Sequence, residues 1–314
     1  MWCSVACSHL FKKETVILLF SFFVFFVVGC KKSESHASLA PPKKVVEKPI
    51  LKRVSNRQGD KKGVVFIAEY HRVLPKEGLY TRSTHNFRKD LDTLYKYGFR
   101  PVTLSEFVEG KMTLPPGASP VVLTFDDSSL SQFKMLPDGK IDPESAVGIL
   151  ENFSKEHPDF PVKATFFILP KVPFGQAGCV NQKLSRLKSW GCEIGSHTLS
   201  HNSLRKLSEE KIKQELGGSI DWIRSLGFEP KTMAVPYGIM PKKIELLKNF
   251  TWNGKQYGFI ANVRSMGRPA HSFESEKPDN PYRLARIIGS NEPMALTYWL
   301  KKVEEGKVQL YVQP

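Results

Sequence analysis

The sequence predicts an α/β fold assembled around a parallel sheet, and three observations carry that expectation. Apolar, β-branched runs alternate with amphipathic helical segments from Gly63 onward, the pattern of strands covered by crossover helices. Some of those runs end in chemically active side chains, as Val121-Val122-Leu123-Thr124-Phe125 ends in Asp126-Asp127. With 314 residues and 41% hydrophobic content, the chain can bury the core of one large domain or two small ones, and a single barrel-sized domain fits. The alternation alone leaves open whether the sheet closes.

The amino terminus reads as a targeting segment. Lys12 and Lys13 precede a 13-residue apolar run, Val16 to Val28, shorter than the roughly 20 residues of a membrane span. This is the form of a signal-peptide core, with an uncleaved signal anchor as the alternative. Val27-Val28-Gly29-Cys30 closes the run and resembles the lipobox of bacterial lipoproteins, where cleavage before the cysteine exposes it for lipidation. Residues 1–29 are then a signal peptide that takes Cys3 and Cys7 with it. Residues 30–62, rich in Ser, Pro, Lys and Glu, bury too little apolar surface to offset their ordering entropy and read as a flexible tether. The folded domain is expected over residues 63–314.

Within it, Gly63-Val64-Val65-Phe66-Ile67-Ala68 is a buried strand leading to Tyr70-His71. Thr84 is placed to cap a helix in which Phe87, Leu91, Leu94 and Tyr95 recur at helical spacing, and Gly98 stops it. Phe99 to Val102 reads as a short strand, Ser105 to Glu109 as a helical turn, and Met112 to Ser119 as a Pro/Gly loop feeding the central strand. Ser128 to Gly139 is too long for a plain turn and is expected to wall a cleft. Asp142-Pro143 opens a helix to about Glu156; Ala164 to Leu169 is a strand, Gln182 to Trp190 a helix, and Cys192 to Ser196 a strand that delivers histidines. From Ser208 a long amphipathic helix carries Ile212, Leu216, Ile220 and Ile223. Met233 to Pro236, Tyr257 to Ala261 and Leu284 to Ile288 follow as strands, with a helix around Ile244 to Leu247 and a last one over Pro293 to Lys302.

A formal charge of +15 and a pI near 9.5 suit an anionic envelope surface or an acidic polymer, or describe a solvated surface. Nucleic acid is excluded as the partner because the basic residues are spread along the chain and no nucleic-acid module is present. Cys179 and Cys192, 13 apart, are expected either as a disulfide on the export side or as two buried thiols.

Chemistry concentrates in two segments. Adjacent side chains on a strand point to opposite sides, so Asp126 and Asp127 serve one site only if the chain bends there. Like charges held that close also need a cation or strong donors nearby. Gly195-Ser196-His197-Thr198-Leu199-Ser200-His201 supplies two histidines four apart, on one face of a helical turn. One Asp and two His make a three-ligand metal site with a position open for water, and leave one carboxylate for proton transfer. Each half has a plainer reading, the acids as a turn or helix cap and the histidines as a solvated helix face.

Thr124-Phe125-Asp126-Asp127 followed by Ser196-His197-Thr198-Leu199-Ser200-His201 resembles the first two motifs of the polysaccharide deacetylases, carbohydrate esterase family four. Tyr70-His71-Arg72-Val73, Asn86-Phe87 to Leu91, Leu94, Gly98-Phe99 and Val102-Thr103-Leu104 resemble the amino-terminal part of its poly-N-acetylglucosamine deacetylase branch. Ala234-Val235-Pro236-Tyr237-Gly238 resembles the third motif, and Tyr282-Arg283-Leu284-Ala285-Arg286-Ile287 a late segment of the same branch. The resemblance spans about residues 63 to 300. It implies a distorted, incomplete (β/α) barrel with its site at the carboxyl ends of the strands. It implies a divalent metal, Zn2+ before Co2+ or Ni2+, on Asp127, His197 and His201, with Asp126 as base. His71 is then the acid for the leaving amine, in the permuted order of that branch, with a histidine packed at the strand end and bonded to backbone as the alternative; a backbone N–H at Tyr237 is the oxyanion donor, with Tyr237 as a turn residue packing its ring in the cleft as the alternative.

Two departures stand out. Ser128 occupies a place where many relatives have Gly, and the third motif lacks the arginine that orients the base in the wider family. Arg286 is the candidate replacement, with a surface salt bridge as its alternative, and His271 is a lesser candidate for the acid. The expected function is that of a lipid-anchored, exported, metal-dependent hydrolase removing N-acetyl groups from an N-acetylhexosamine polysaccharide of the bacterial envelope or matrix. Its partners are then that polymer and, through Cys30, a membrane. A catalytically silent carbohydrate-binding lipoprotein and a hydrolase of other non-peptide C–N bonds are the alternatives.

Overall fold

The computed structural model describes residues 57–170 and 172–314. The expected signal peptide, the lipobox at Cys30 and the tether up to residue 56 lie outside the described residues. Seven parallel strands close a barrel: β1 (Val64–Tyr70), β2 (Ser119–Phe125), β3 (Thr165–Ile168), β4 (Glu193–Ser196), β5 (Thr232–Ala234), β6 (Ala261–Ser265) and β7 (Leu284–Ile288). They pair in that order, and β1 bonds both β2 and β7. The sheet therefore closes, one strand short of a full eight-stranded barrel. Outside the ring, Phe99–Val102 runs parallel to the first half of β2, and Ala270–His271 runs antiparallel to the start of β1.

Period-two alternation sorts the strand residues. Val65, Ile67, Val122, Phe167, Val263 and Leu284 share a cluster inside the barrel, while Phe66, Ala68, Tyr70, Leu123, Phe125 and Phe166 pack outward beneath the helices. Continuing the inward series along β1, β2 and β7 brings Glu69, Thr124 and Arg286 to the inner face near the mouth, all at most 3% exposed. The apolar middle of the barrel thus gives way to charge at the carboxyl ends of the strands, while at the amino end the Glu193 carboxylate accepts from the Thr165 and Thr232 hydroxyls.

Helices α1 (Thr84–Lys96), α2 (Leu104–Val108), α3 (Ala146–Glu156), α4 (Val180–Ser189), α5 (Glu209–Ser225), α6 (Glu245–Lys248) and α7 (Leu296–Glu304) surround this core. In α1 the cap is Ser83, not Thr84, because the Ser83 hydroxyl accepts from the Asn86 N–H. Ser145 caps α3 in the same way, so the helix begins after Asp142-Pro143, whose backbone makes a turn instead. The strand expected over Tyr257 to Ala261 lies further on, as β6; Tyr257 instead ends a small hairpin strand, Lys255–Tyr257, paired with Phe250–Trp252.

Three further expectations change. Asp60 exchanges main-chain hydrogen bonds with Val312, and the Arg57 guanidinium reaches Ser119 Oγ at 2.9 Å, so residues 57–62 belong to the folded domain and not to the tether. Cys179 and Cys192 are free thiols, and Cys192 is buried with its Sγ 3.6 Å from the Val162 carbonyl, so the disulfide alternative falls. His271 pairs with Val64 at the amino end of β1, opposite the mouth, and is no candidate for the acid. Among the described residues no helix is long and apolar enough to cross a membrane.

Candidate active site

The bend required after β2 is present. Asp127 and Ser128 both adopt left-handed backbone, φ 72° and 47°, which turns Asp127 away from the inner face that Asp126 keeps. Left-handed backbone is unfavourable for residues with a Cβ, and here it is held by extra bonds. The Ser128 carbonyl accepts from the Phe174 N–H at 2.7 Å, and its hydroxyl accepts from the Leu169 N–H at 3.3 Å. A glycine would relax the turn but lose the second bond.

Asp126 is buried and forked by Arg286, with Nη1 on Oδ1 and Nη2 on Oδ2, both at 2.7 Å. Arg286 is 1% exposed, so it is not a surface ion pair. Its Nη1 also donates to Thr124 Oγ1 at 3.1 Å, and its Nε stands 3.3 Å from Glu69. Burial opposes ionisation of Asp126, yet the Arg286 guanidinium outweighs it and holds the carboxyl well below the usual carboxylate range. His71 follows at the end of β1, its Nε2 3.9 Å from both Asp126 and Glu69.

Asp127 meets the histidines on the other side of the bend, with Oδ1 3.3 Å from His197 Nε2 and 3.4 Å from His201 Nε2. The histidine segment is not a helical turn. Thr198 and His201 sit at φ 70° and 58°, and Glu215 of α5 accepts from the N–H groups of Leu199 and Ser200 at 3.1 and 2.9 Å. That loop, not helical periodicity, brings the two imidazoles together.

This donor set fits a divalent metal. The His197 Nδ1 lies 2.9 Å from the Ala234 carbonyl, which can only accept; Nδ1 therefore carries the proton and Nε2 is left as a free ligand atom. Separations of 3.3 and 3.4 Å agree with the edge of about 3.3 Å of a tetrahedron with bonds near 2.0–2.1 Å. The pocket is also negative. Burial disfavours charge on His197, but Asp126 and Asp127 overcome it and push that imidazole's pKa up; burial and the neighbouring His197 push His201 down.

These groups open into one cleft of about 530 Å³, lined also by Arg72, Tyr80, Ser129, Tyr237 and Ser265. Tyr237 adopts φ 60°, is 66% exposed, and sets its hydroxyl 3.2 Å from His201 Nδ1. Every residue expected at the site therefore gathers there except His271.

Four supporting residues went unread in the sequence. Glu69 accepts from Ser265 Oγ beside Arg286; the signal was a carboxylate inside an otherwise apolar strand. Gln132, fully buried, donates from one amide nitrogen to the carbonyls of His71 and Asp126, so the Ser128 to Gly139 loop stitches the two strand ends together while Ser129 lines the cleft. Glu215 and Ser219 interrupt the apolar stripe of α5, and Ser219 Oγ meets Ser196 Oγ at 2.6 Å.

Comparison with known proteins agrees with this geometry. Residues 114–253 match the family model described as polysaccharide deacetylase. The chain is 32% identical over 185 residues to a peptidoglycan-N-acetylglucosamine deacetylase of Bacillus cereus, an alignment covering 59% of this chain and 56% of that relative's length. The structure of the Streptococcus pyogenes deacetylase PplD in complex with acetate superposes with TM-score 0.57 at 18% identity, covering 81% of this chain and all of that one. IcaB from Ammonifex degensii superposes with TM-score 0.53 at 19% identity, covering 77% and 97%. The fold is therefore the (β/α) barrel of the polysaccharide deacetylases, and residues 114–253, which carry β2 to β5 of that barrel, are similar in sequence to that family.

Proposed function

We propose that the chain is a metal-dependent deacetylase that hydrolyses N-acetyl groups on an N-acetylhexosamine polysaccharide of the cell envelope or extracellular matrix. One observation carries the reading: a carboxylate with two imidazoles and, across a single backbone bend, a carboxylate forked by arginine beside a third imidazole. A divalent ion on Asp127, His197 and His201, Zn2+ before Co2+ or Ni2+, would supply a Lewis acid and a water acidic enough to ionise near neutral pH. Asp126 accepts the proton given up by the attacking water. Both its oxygens accept from Arg286, yet each keeps a second lone pair for that task. The main-chain N–H at the Tyr237 turn is the donor proposed for the carbonyl oxygen as it gains charge. His71 protonates the nitrogen as the C–N bond breaks, so acetate and a free amino sugar leave.

The peptidoglycan-N-acetylglucosamine deacetylase relative supports the substrate class. Export and a lipid anchor at Cys30 belong to the same proposal, supported by the sequence of residues 12–30; an intact mass beginning at Cys30 is the expected result. The function is tested by acetate release from chitooligosaccharides, poly-N-acetylglucosamine and peptidoglycan, before and after chelation and return of zinc, cobalt or nickel. Release that stops with the chelator and returns with metal is expected. No release from any of the three, or release indifferent to the chelator, rejects the reading.

A further inference from the structure

The loop after β1 carries a side chain that neither the ligand triad nor the proton transfers use. Gly78 and Thr81 exchange main-chain hydrogen bonds of 3.1 and 2.9 Å around a two-residue turn, Leu79-Tyr80. Arg72 pins this turn to the strand end, its N–H reaching the Tyr80 carbonyl at 3.1 Å and its Nη2 the Leu79 carbonyl at 2.9 Å. Tyr80 sits at φ 54°, in the turn position that ordinarily takes Gly or Asn. A bulky residue fixed in that conformation points to a use for its side chain. The ring lies 5.0 Å from that of His71 at 49°, lines the cleft and stays 55% exposed. In the closed ring β1 and β5 are separated by two strands one way and three the other, so Tyr80 faces the mouth from the side opposite Tyr237.

We propose that Tyr80 is the platform for the sugar ring bearing the scissile amide, a specificity-determining residue of the deacetylation proposed above, on which this inference rests. The leaving nitrogen is bonded directly to the sugar ring and must come within about 3 Å of His71 Nε2 to be protonated. The sugar therefore lies against His71, where the Tyr80 ring supplies an exposed aromatic face. A pyranose presents an apolar C–H face that removes such a ring from water when it stacks there. A simple acetamide has no such face and gains nothing from it. Tyr80 thereby selects for the ring and not for the acetyl group.

The experiment is acetate-release kinetics on an N-acetylglucosamine pentamer for wild type, Tyr80→Ala and Tyr80→Phe. Alanine retains Cβ and meets the same left-handed constraint, so the comparison reads the ring and not the turn. KM should rise about ten-fold in Tyr80→Ala with kcat changed far less, and Tyr80→Phe should restore it. Metal content and Tm should stay at the wild-type level. The same pentamer titrated into Asp126→Asn, with and without Tyr80→Ala, measures binding apart from turnover and should show the same ratio. Unchanged KM and affinity in the alanine variant, or a phenylalanine variant as weak as alanine, overturns the platform and leaves the deacetylase reading standing. Wild-type protein that binds the pentamer but releases no acetate overturns the deacetylase reading, and the affinity ratio then decides Tyr80 by itself.

Discussion

Asp126 and Asp127 are neighbours in the chain and end in different electrostatic surroundings. Asp126 is buried and spends both oxygens on Arg286, which it shares with Glu69; Asp127 has 39% of its side chain exposed and faces two imidazoles. Arginine's fixed fork holds the first carboxylate in one orientation and favours its ionised form. The second has only ligands that can be neutral, which leaves its negative charge available to a cation. The left-handed turn at Asp127 and Ser128 separates the carboxylate proposed as proton acceptor from the one proposed as metal ligand.

The largest effect should come from exchanging the two fates. Asp126→Asn should retain metal yet lose turnover by about 10² to 10⁴ fold, because the amide cannot take the proton. Asp127→Ala should lose the metal itself by elemental analysis. Equal metal loss in both variants would erase the distinction between the two carboxylates.

Next in size, Arg286→Met leaves Asp126 and Glu69 buried and unpaired, at a cost of about 3–5 kcal/mol in chemical unfolding at neutral pH. Arginine holds the Asp126 carboxyl below its ordinary value, so this stabilisation exists above about pH 4 and disappears as pH falls through the lower folded value. The gap between wild type and variant should accordingly close in strong acid; a gap independent of pH would mean that Arg286 acts by packing alone. His71→Ala should lower turnover about 10² fold, with metal content intact. Full activity in that variant would detach His71 from the proton transfers.

The smallest change sharpens the metal side. Tyr237→Phe removes the hydroxyl 3.2 Å from His201 Nδ1 and should weaken metal affinity about ten-fold while Asp126 chemistry in the loaded protein persists. Affinity equal to wild type would show that the hydroxyl does not orient His201.

The acids and histidines were legible because they stand at the ends of apolar runs, where their chemistry is conspicuous. Glu69 was obscured because it lies within a run dominated by apolar neighbours; Arg286 was named as the candidate to orient Asp126, but the sequence could not separate that role from a surface salt bridge, because its pairing spans strands far apart in the chain. The helical turn expected for the His197 segment failed for a local reason: Glu215, sixteen and fifteen residues on from the N–H groups it accepts, offers them a better partner than a helix would.

By itself, the sequence determined the strand and helix alternation, the apolar runs that become buried strands and the identity of the reactive groups, since these follow from side-chain chemistry and local periodicity. Closure of the ring, the choice of Arg286 as the partner of Asp126 and the placement of Tyr80 across from Tyr237 were decided only by the tertiary structure. Each depends on which strands become neighbours, and that is fixed by packing of the whole chain rather than by any segment of it.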